Sequence, residues 1–322
     1  MGCGTMYIYD KINFTKISFL IEYNSEGYIP KNKSSAIRGG LGQKLIDMFC
    51  VNRCENCDEC FCRKKCIVQN IMYSSFEIKP DFVTEGESAG FRLCCMDENE
   101  YAEAGDATWF DMYFYGGTIA FLNPVIQALH VLGMSGLGRE NITFSIKEIK
   151  NNKNIALLND MDIDMRAVAS CTLAEYITKR KKELLEETGK AVEASGKYKV
   201  KLSFNTPVTI KYHGKIINEF DVEAVLRAIA RRIYMYNLYE GNDIGIIDIM
   251  DYPEITESKA YTKSVSRYST RKNEKMKLYG IVGYMKMKDV TEETLNILIA
   301  GEVLGCGKNM KFGFGNCRVK LL

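Results

Sequence analysis

The sequence predicts an α+β fold made of two tandem ferredoxin-like domains, and three observations carry that prediction. Strand and helix patterns in the first half follow the order strand, helix, two strands, helix, strand, and the second half echoes it. A Val-Leu-Gly sequence stands at a helix end before a glycine-rich loop in each half, within His130–Arg139 and within Glu302–Gly315. Between the halves, 174–197 is highly charged and poor in large apolar residues, the signature of a connector or a solvated helix. The expected layout is therefore a first domain over 1–160, with a cysteine-rich insertion at 50–73, a connector over 161–198, and a second domain over 199–322.

The first domain opens on Phe14–Tyr23, which reads as a strand. Ile37, Leu41, Leu45 and Phe49 then recur every four residues behind Ser34 and Ser35, an amphipathic helix with a serine cap. FRLCCMD and WFDMYFY read as strands, and ITFSIKEI, 142–149, closes the unit. Between them Met112–Gly138 carries no charge, but Asn123 followed by Pro124 marks the N-cap and first turn of a short buried helix ending at Gly133, not a membrane span. In the second domain KVKLSFN and VTIKY read as one kinked strand or two short ones around Thr206-Pro207. Val222, Val225, Leu226, Ile229 and Ile233 mark a helix behind Asp221, KLYGIVGYMKMK a strand, Thr291–Leu304 a helix, and FGNCRVKLL the last strand.

Composition narrows the function. The 322 residues are 46% hydrophobic and 26% charged, ordinary globular values that exclude a disordered or membrane class. A net charge of +2 does not by itself imply a polyanionic partner, so any nucleic-acid surface has to come from local clusters of Lys and Arg. The first residues lack a secretory h-region, and Met6 stands where a myristoylation signal needs Ser or Thr, so a cytoplasmic location is expected.

Six of the 12 cysteines fall in CVNRCENCDECFCRKKC, with Cys54, Cys57 and Cys60 at C-x2-C spacing and Cys62 and Cys66 behind them. In a reducing compartment such spacing predicts metal binding rather than disulfides. A structural Zn²⁺ on Cys54, Cys57, Cys60 and Cys66 is the expected site, with Cys50 and Cys62 as competing ligands and an iron–sulfur cluster as the alternative metal.

Several segments together resemble the CRISPR-associated endoribonucleases of the RAMP superfamily that process precursor CRISPR RNA, in the subgroup with a cysteine-bearing insertion. They are IRGGLGQKL with the cysteines behind it, YFYGGTIAFLNPVIQALHVLGMSGLG, NTPVTIKYHGK, VLRAIARRIYMYNLY, VSRYSTRKNEKMKLYGIVG and the terminal GEVLGCGKNMKFGFGNCRV. The chain departs from the family's pattern at Cys306, where a His is frequent before Gly-Lys, and at Lys272, where Gln is usual.

The resemblance implies binding of CRISPR repeat RNA and its metal-independent cleavage, by attack of a 2′-hydroxyl on the adjacent phosphate, to a 2′,3′-cyclic phosphate. It implies possible association with effector-complex subunits and no membrane partner. The RNA-binding candidates are Arg38 in the first helix, Arg139 in the first glycine loop, Arg231 and Arg232 on the second-domain helix, Arg267, Tyr268, Arg271 and Lys272, and the terminal loop with Gly307, Lys308, Lys311, Gly313 and Gly315. That loop can offer backbone N–H groups and lysine charge to phosphates, and Tyr268 a ring to a base. The reaction needs a general base, usually histidine. The chain has two, His130 and His213, and neither falls on the first-helix position the family uses. That scarcity keeps open an alternative, a non-catalytic RAMP subunit that holds guide RNA.

Overall fold

A computed structural model of the chain describes residues 7–52, 59–73, 90–159, 162–189, 196–269 and 274–322. The first domain comprises β1 (Asn13–Tyr23), α1 (Lys33–Phe49), β2 (Phe91–Cys95), β3 (Ala107–Tyr115), α2 (Leu122–Ser135) and β4 (Phe144–Lys150). Its strands lie in the order β2-β3-β1-β4, every pairing antiparallel. This is the ferredoxin-like arrangement.

Alternation along β1 sets the layers. Ile17, Phe19, Ile21 and Tyr23 face the helices and are buried, with Phe19 opposite Phe110 and stacked on it at 5.0 Å. Against them pack Ile37, Leu41 and Leu45 of α1 and Val125, Leu129 and Leu132 of α2.

The chain then runs through α3 (Leu173–Thr188) into β5 (Tyr198–Val208), α4 (Val222–Tyr239), β6 (Glu254–Ser269), β7 (Glu274–Val290), α5 (Glu292–Leu304) and β8 (Cys317–Leu321). The second sheet has the order β6-β7-β5-β8, again antiparallel, so the first domain's topology is repeated.

Local chemistry moves several expected boundaries. The cap of α1 is Asn32, whose Oδ1 accepts from the Ser35 amide at 3.1 Å, while Ser34 is buried and its Oγ accepts from the Cys95 amide on β2. The α2 helix runs past Gly133 to Ser135 and stops at Gly136, at φ 84. Gly133 instead lets the helix lie on β4, since a Cβ there would come within 2.3 Å of the Phe144 carbonyl oxygen. The stretch 116–135 is long and apolar enough to cross a membrane by composition, yet Leu122, Val125, Leu129 and Leu132 are core residues.

The kinked-strand reading holds as far as Val208, since β5 runs through Thr206-Pro207 with a register shift before Val208 pairs with Ile281; the rest of VTIKY leaves the sheet, and Lys211–Tyr212 forms a small hairpin with Lys215–Ile216. The strand that fills that place is β6, which the sequence reading leaves out. Within the charged stretch, the residues up to Thr188 belong to the helix α3, opened by a Thr172/Glu175 capping box and closed by Gly189, and 190–195 lie outside the described residues. It buries Leu173, Ile177 and Leu184 in the second domain's core and sends Arg180 to Glu302 on α5, Nε to Oε2 3.2 Å.

Candidate nucleic-acid interface

The glycine-rich loop starts where α5 ends. Gly305, Gly307, Gly313 and Gly315 all have positive φ, and a Cβ on Gly315 would lie 2.0 Å from the Cys306 carbonyl oxygen. The loop's amides are largely used internally. Cys306 N donates to Gly315 O, Lys308 N to Thr209 O, Phe312 N to Asn309 O, Gly313 N to Met310 O, and Gly315 N to Pro207 O. Part of the expected cradle of loop N–H groups is thus committed within the protein, and the glycines shape the loop so that its side chains meet the first domain.

That meeting forms the site. Gly313 passes so close to α1 that a Cβ would lie 2.4 Å from Ser34 Oγ, and Asn32 Nδ2 donates to Phe312 O at 3.3 Å. The Phe312 ring then lies against two guanidinium groups from different domains. Arg267 on β6 has its Cζ 3.9 Å from the ring centroid, and Arg38 on α1 has its Cζ at 5.6 Å. Lys311 adds a third cation, its Nζ 5.5 Å from the same centroid. Arg38 Nη2 also reaches the Met72 carbonyl oxygen at 3.5 Å, at the edge of hydrogen-bonding distance.

The electrostatics of this cluster are unbalanced. Neither Arg38 nor Arg267 has a carboxylate partner among the described residues, and the Nε of each is buried without a hydrogen-bond acceptor. Burial lowers the pKa of both below the usual guanidinium value; at Arg38 Tyr73 partly opposes this and the neighbouring Arg267 adds to it. Two partly buried arginines, each with an Nε that meets no acceptor among the described residues, are suited to a bidentate anion such as a phosphodiester.

The other candidates are distributed as follows. Arg232 is 4% exposed and donates from Nε to Leu304 O at 2.9 Å and from Nη1 to Gly307 O at 3.2 Å, so its fork faces the α5 end and not solvent. Its neighbour Arg231 is exposed, as is Arg139 after the first-domain loop. Lys308 is half-buried. Tyr268 lies in β6, but its side chain is outside the described residues, as are Arg271 and Lys272 altogether.

His130 is on the exposed side of α2, and His213 occupies the hairpin turn at φ 46, its ring 4.1 Å from that of Tyr212. Neither makes a hydrogen bond to a described member of the arginine cluster. Sequence reasoning missed Phe312, the ring that organises the site; a Phe beside a Lys in a glycine loop was the available signal.

Of the expected zinc ligands, Cys60 and Cys66 are partly buried and in no disulfide, while Cys54 and Cys57 lie outside the described residues. Among the described residues no group of three or more His, Cys, Asp or Glu is arranged to hold a metal ion. The expected four-cysteine set thus lies partly outside the described residues, through Cys54 and Cys57.

Comparison with known proteins follows the domain division. Residues 12–168 match a family model described as an N-terminal domain, and residues 202–317 match the family of the CRISPR-associated endoribonuclease Cas6. No curated protein matches the chain. Among solved structures, a partial Cas6-RT-Cas1–Cas2 complex aligns with TM-score 0.61 at 13% identity over 97% of this chain and 46% of that one. The Cas6-RT-Cas1–Cas2 complex gives the same TM-score and identity over 97% and 29%. A Cas6 product complex gives TM-score 0.53 at 10% identity over 95% and 99%. The chain thus spans less than half the length of the first two, and at these identities the shared property is the fold. The second domain is thus similar to the CRISPR-associated endoribonuclease Cas6 family over residues 202–317, and the solved structures share the two-domain fold.

Proposed function

We propose that this protein binds CRISPR repeat RNA in precursor transcripts and cleaves it to guide length without a catalytic metal. The observation that carries this reading is the interdomain cluster of Arg38, Arg267 and Lys311 around Phe312, with two buried guanidinium Nε atoms unpartnered. A scissile phosphate held there would gain negative charge in the transition state, where fixed cations act most strongly.

In the proposed step the 2′-oxygen attacks the neighbouring phosphorus, its proton passes to a base, and the bond to the 5′-oxygen breaks as that oxygen takes a proton. The products are a 2′,3′-cyclic phosphate and a 5′-hydroxyl. Arg38 and Arg267 stabilise the phosphorane, and Phe312 supplies an apolar wall. His130 and His213 are the proposed acid–base groups, on chemistry alone. Arg139, Arg231, Lys308, Tyr268, Arg271 and Lys272 complete the proposed RNA path, and a structural zinc on Cys54, Cys57, Cys60 and Cys66 would brace the insertion. The proposed setting is cytoplasmic, with CRISPR effector subunits as further partners.

One observation favours a second reading. Both histidines are exposed and apart from any described contact with the arginine cluster, as in a subunit that holds guide RNA without cutting it.

The deciding experiment incubates the protein with labelled repeat RNA in EDTA, beside RNA with a single 2′-deoxy substitution at the cut. Cleavage to a cyclic phosphate, abolished by the deoxy substitution, is the expected result. Tight binding without cleavage would establish the second reading, and absence of RNA binding would defeat both. Elemental analysis of the purified protein tests the zinc, with equimolar metal expected and its absence refuting the site.

A further inference from the structure

We infer that Arg92 is a positioning residue that joins the two domains at the root of the glycine-rich loop and so sets the spacing of the interdomain arginines. The inference deepens the RNA-binding reading and rests on it for its functional half.

Arg92 is anomalous where it stands. It lies in β2, whose five residues are all buried, and is itself 1% exposed. No carboxylate among the described residues meets it; its guanidinium leaves the first domain and enters the second. Nη1 donates to the carbonyl oxygens of Glu302 at 3.0 Å and Val303 at 2.6 Å, and Nη2 to Asn316 Oδ1 at 2.5 Å. Tyr115 of β3 sends its hydroxyl to the same Val303 carbonyl at 2.7 Å, and the Tyr113 ring lies 4.9 Å from Arg92 Cζ.

The acceptors explain the arrangement. Glu302 and Val303 are in the last turn of α5, where carbonyls have no intrahelical partner and the helix dipole favours a cation. Leu304 O, the next one, is taken by Arg232, which also holds Gly307 O. Two buried guanidinium groups, one from each domain, therefore grip one helix end, and the loop leaves from it. Asn316, at the far end of the loop, is held by the same Arg92 fork. Both ends of the loop are thus tied to β2.

This tie has a functional consequence because the phosphate site is composite. Arg38 belongs to the first domain, and Phe312, Lys311 and Arg267 to the second. Any rotation of α5 against β2 changes the gap between Arg38 and Arg267. Arg92 itself is too buried to touch RNA.

The test uses Arg92→Lys, which keeps the charge but lacks the fork to span Glu302, Val303 and Asn316, with Arg92→Met as the second variant. Hydrogen exchange of amides 305–316 is expected to accelerate about tenfold, with β1 and α1 amides unchanged. Affinity for a fluorescein-labelled single-stranded RNA is expected to fall about tenfold with the slope of log affinity against log salt preserved. Arg38→Ala, the control, is expected to flatten that slope by about 0.7, one phosphate contact on a single strand.

Loop exchange at the wild-type rate, or acceleration throughout the chain in both variants, would overturn the inference. So would a slope flattened as in Arg38→Ala, since Arg92 would then be contacting phosphate. Failure of the wild-type protein to bind RNA would defeat the functional reading instead. Loop exchange alone would then decide whether Arg92 ties the domains.

Discussion

Replacing Arg38 and Arg267 singly and together tests whether the two guanidinium groups hold one phosphate. Both lie against the Phe312 ring, at 5.6 and 3.9 Å from its centroid, and each carries an unpartnered Nε. A charge-assisted hydrogen bond to phosphate contributes about 1.5–3 kcal/mol net, so Arg38→Ala and Arg267→Ala should each weaken RNA binding by about 10- to 150-fold. With one phosphate shared, the double variant should lose less than the sum, with a coupling of about 1 kcal/mol in a double-mutant cycle. The unliganded protein should respond in the opposite direction. Burial and mutual repulsion disfavour the two charges, so Arg38→Met should raise the melting temperature by about 1–2 °C. Fluorescence anisotropy and thermal denaturation give both quantities. Additive binding losses would refute the shared phosphate, and a melting temperature several degrees lower would show Arg38 to be structural.

Further expected outcomes concern the backbone, the carboxylates and the histidines. Gly39→Ala lies on exposed α1 with nothing within 4 Å of its added Cβ and should stabilise by about 0.5–1 kcal/mol in denaturant titration. Gly315→Ala, at φ 66 and against the Cys306 carbonyl, should destabilise by roughly 1–3 kcal/mol and weaken RNA binding. Burial raises the pKa of Asp97, but the Asn99 amide, the Thr108 hydroxyl and Lys33 outweigh it and hold the carboxyl below its usual value. Its contribution to stability is therefore present above the ordinary carboxylate pKa and lost as pH falls through the folded value, and Asp97→Asn should flatten that acid limb in urea melts. His130→Ala and His213→Ala should keep RNA affinity within about threefold, and the variant that removes the base should lower single-turnover cleavage by about 10²-fold or more. Unchanged cleavage in both would remove histidine from the mechanism.

The element order was legible because each buried face leaves a period in the sequence. β6 was not legible for the same reason. EITESKAYTKSVSRYS is an edge strand largely exposed on both faces, so no apolar alternation marks it, and only its pairing with β7 defines it. Arg231 and Arg232 look equivalent as a pair, yet Arg232 is three residues after Ile229 and falls on the apolar side of α4. Helix phase could have separated them. Arg38, Arg267 and Lys311 were named as candidates, but their convergence on Phe312 depends on docking α1 against a loop more than two hundred residues away. No local pattern carries that. Arg92 left one faint trace, a lone charge in the apolar strand FRLCC.

The Arg92 contact also bears on how the chain matures during synthesis. Its first acceptor, the Glu302 carbonyl, follows 210 residues later. At translation speeds of 5–20 residues per second, the interval is on the order of 10–40 s. Throughout that time the emerging first domain holds a guanidinium whose native acceptors do not yet exist, beside Tyr113 and Tyr115, which the second domain will cover. The nascent first domain therefore carries a half-polar face until the second domain is made, and the burial of that face coincides with assembly of the interdomain arginine cluster. Docking of the second domain onto the first and assembly of that cluster thus meet at a single side chain.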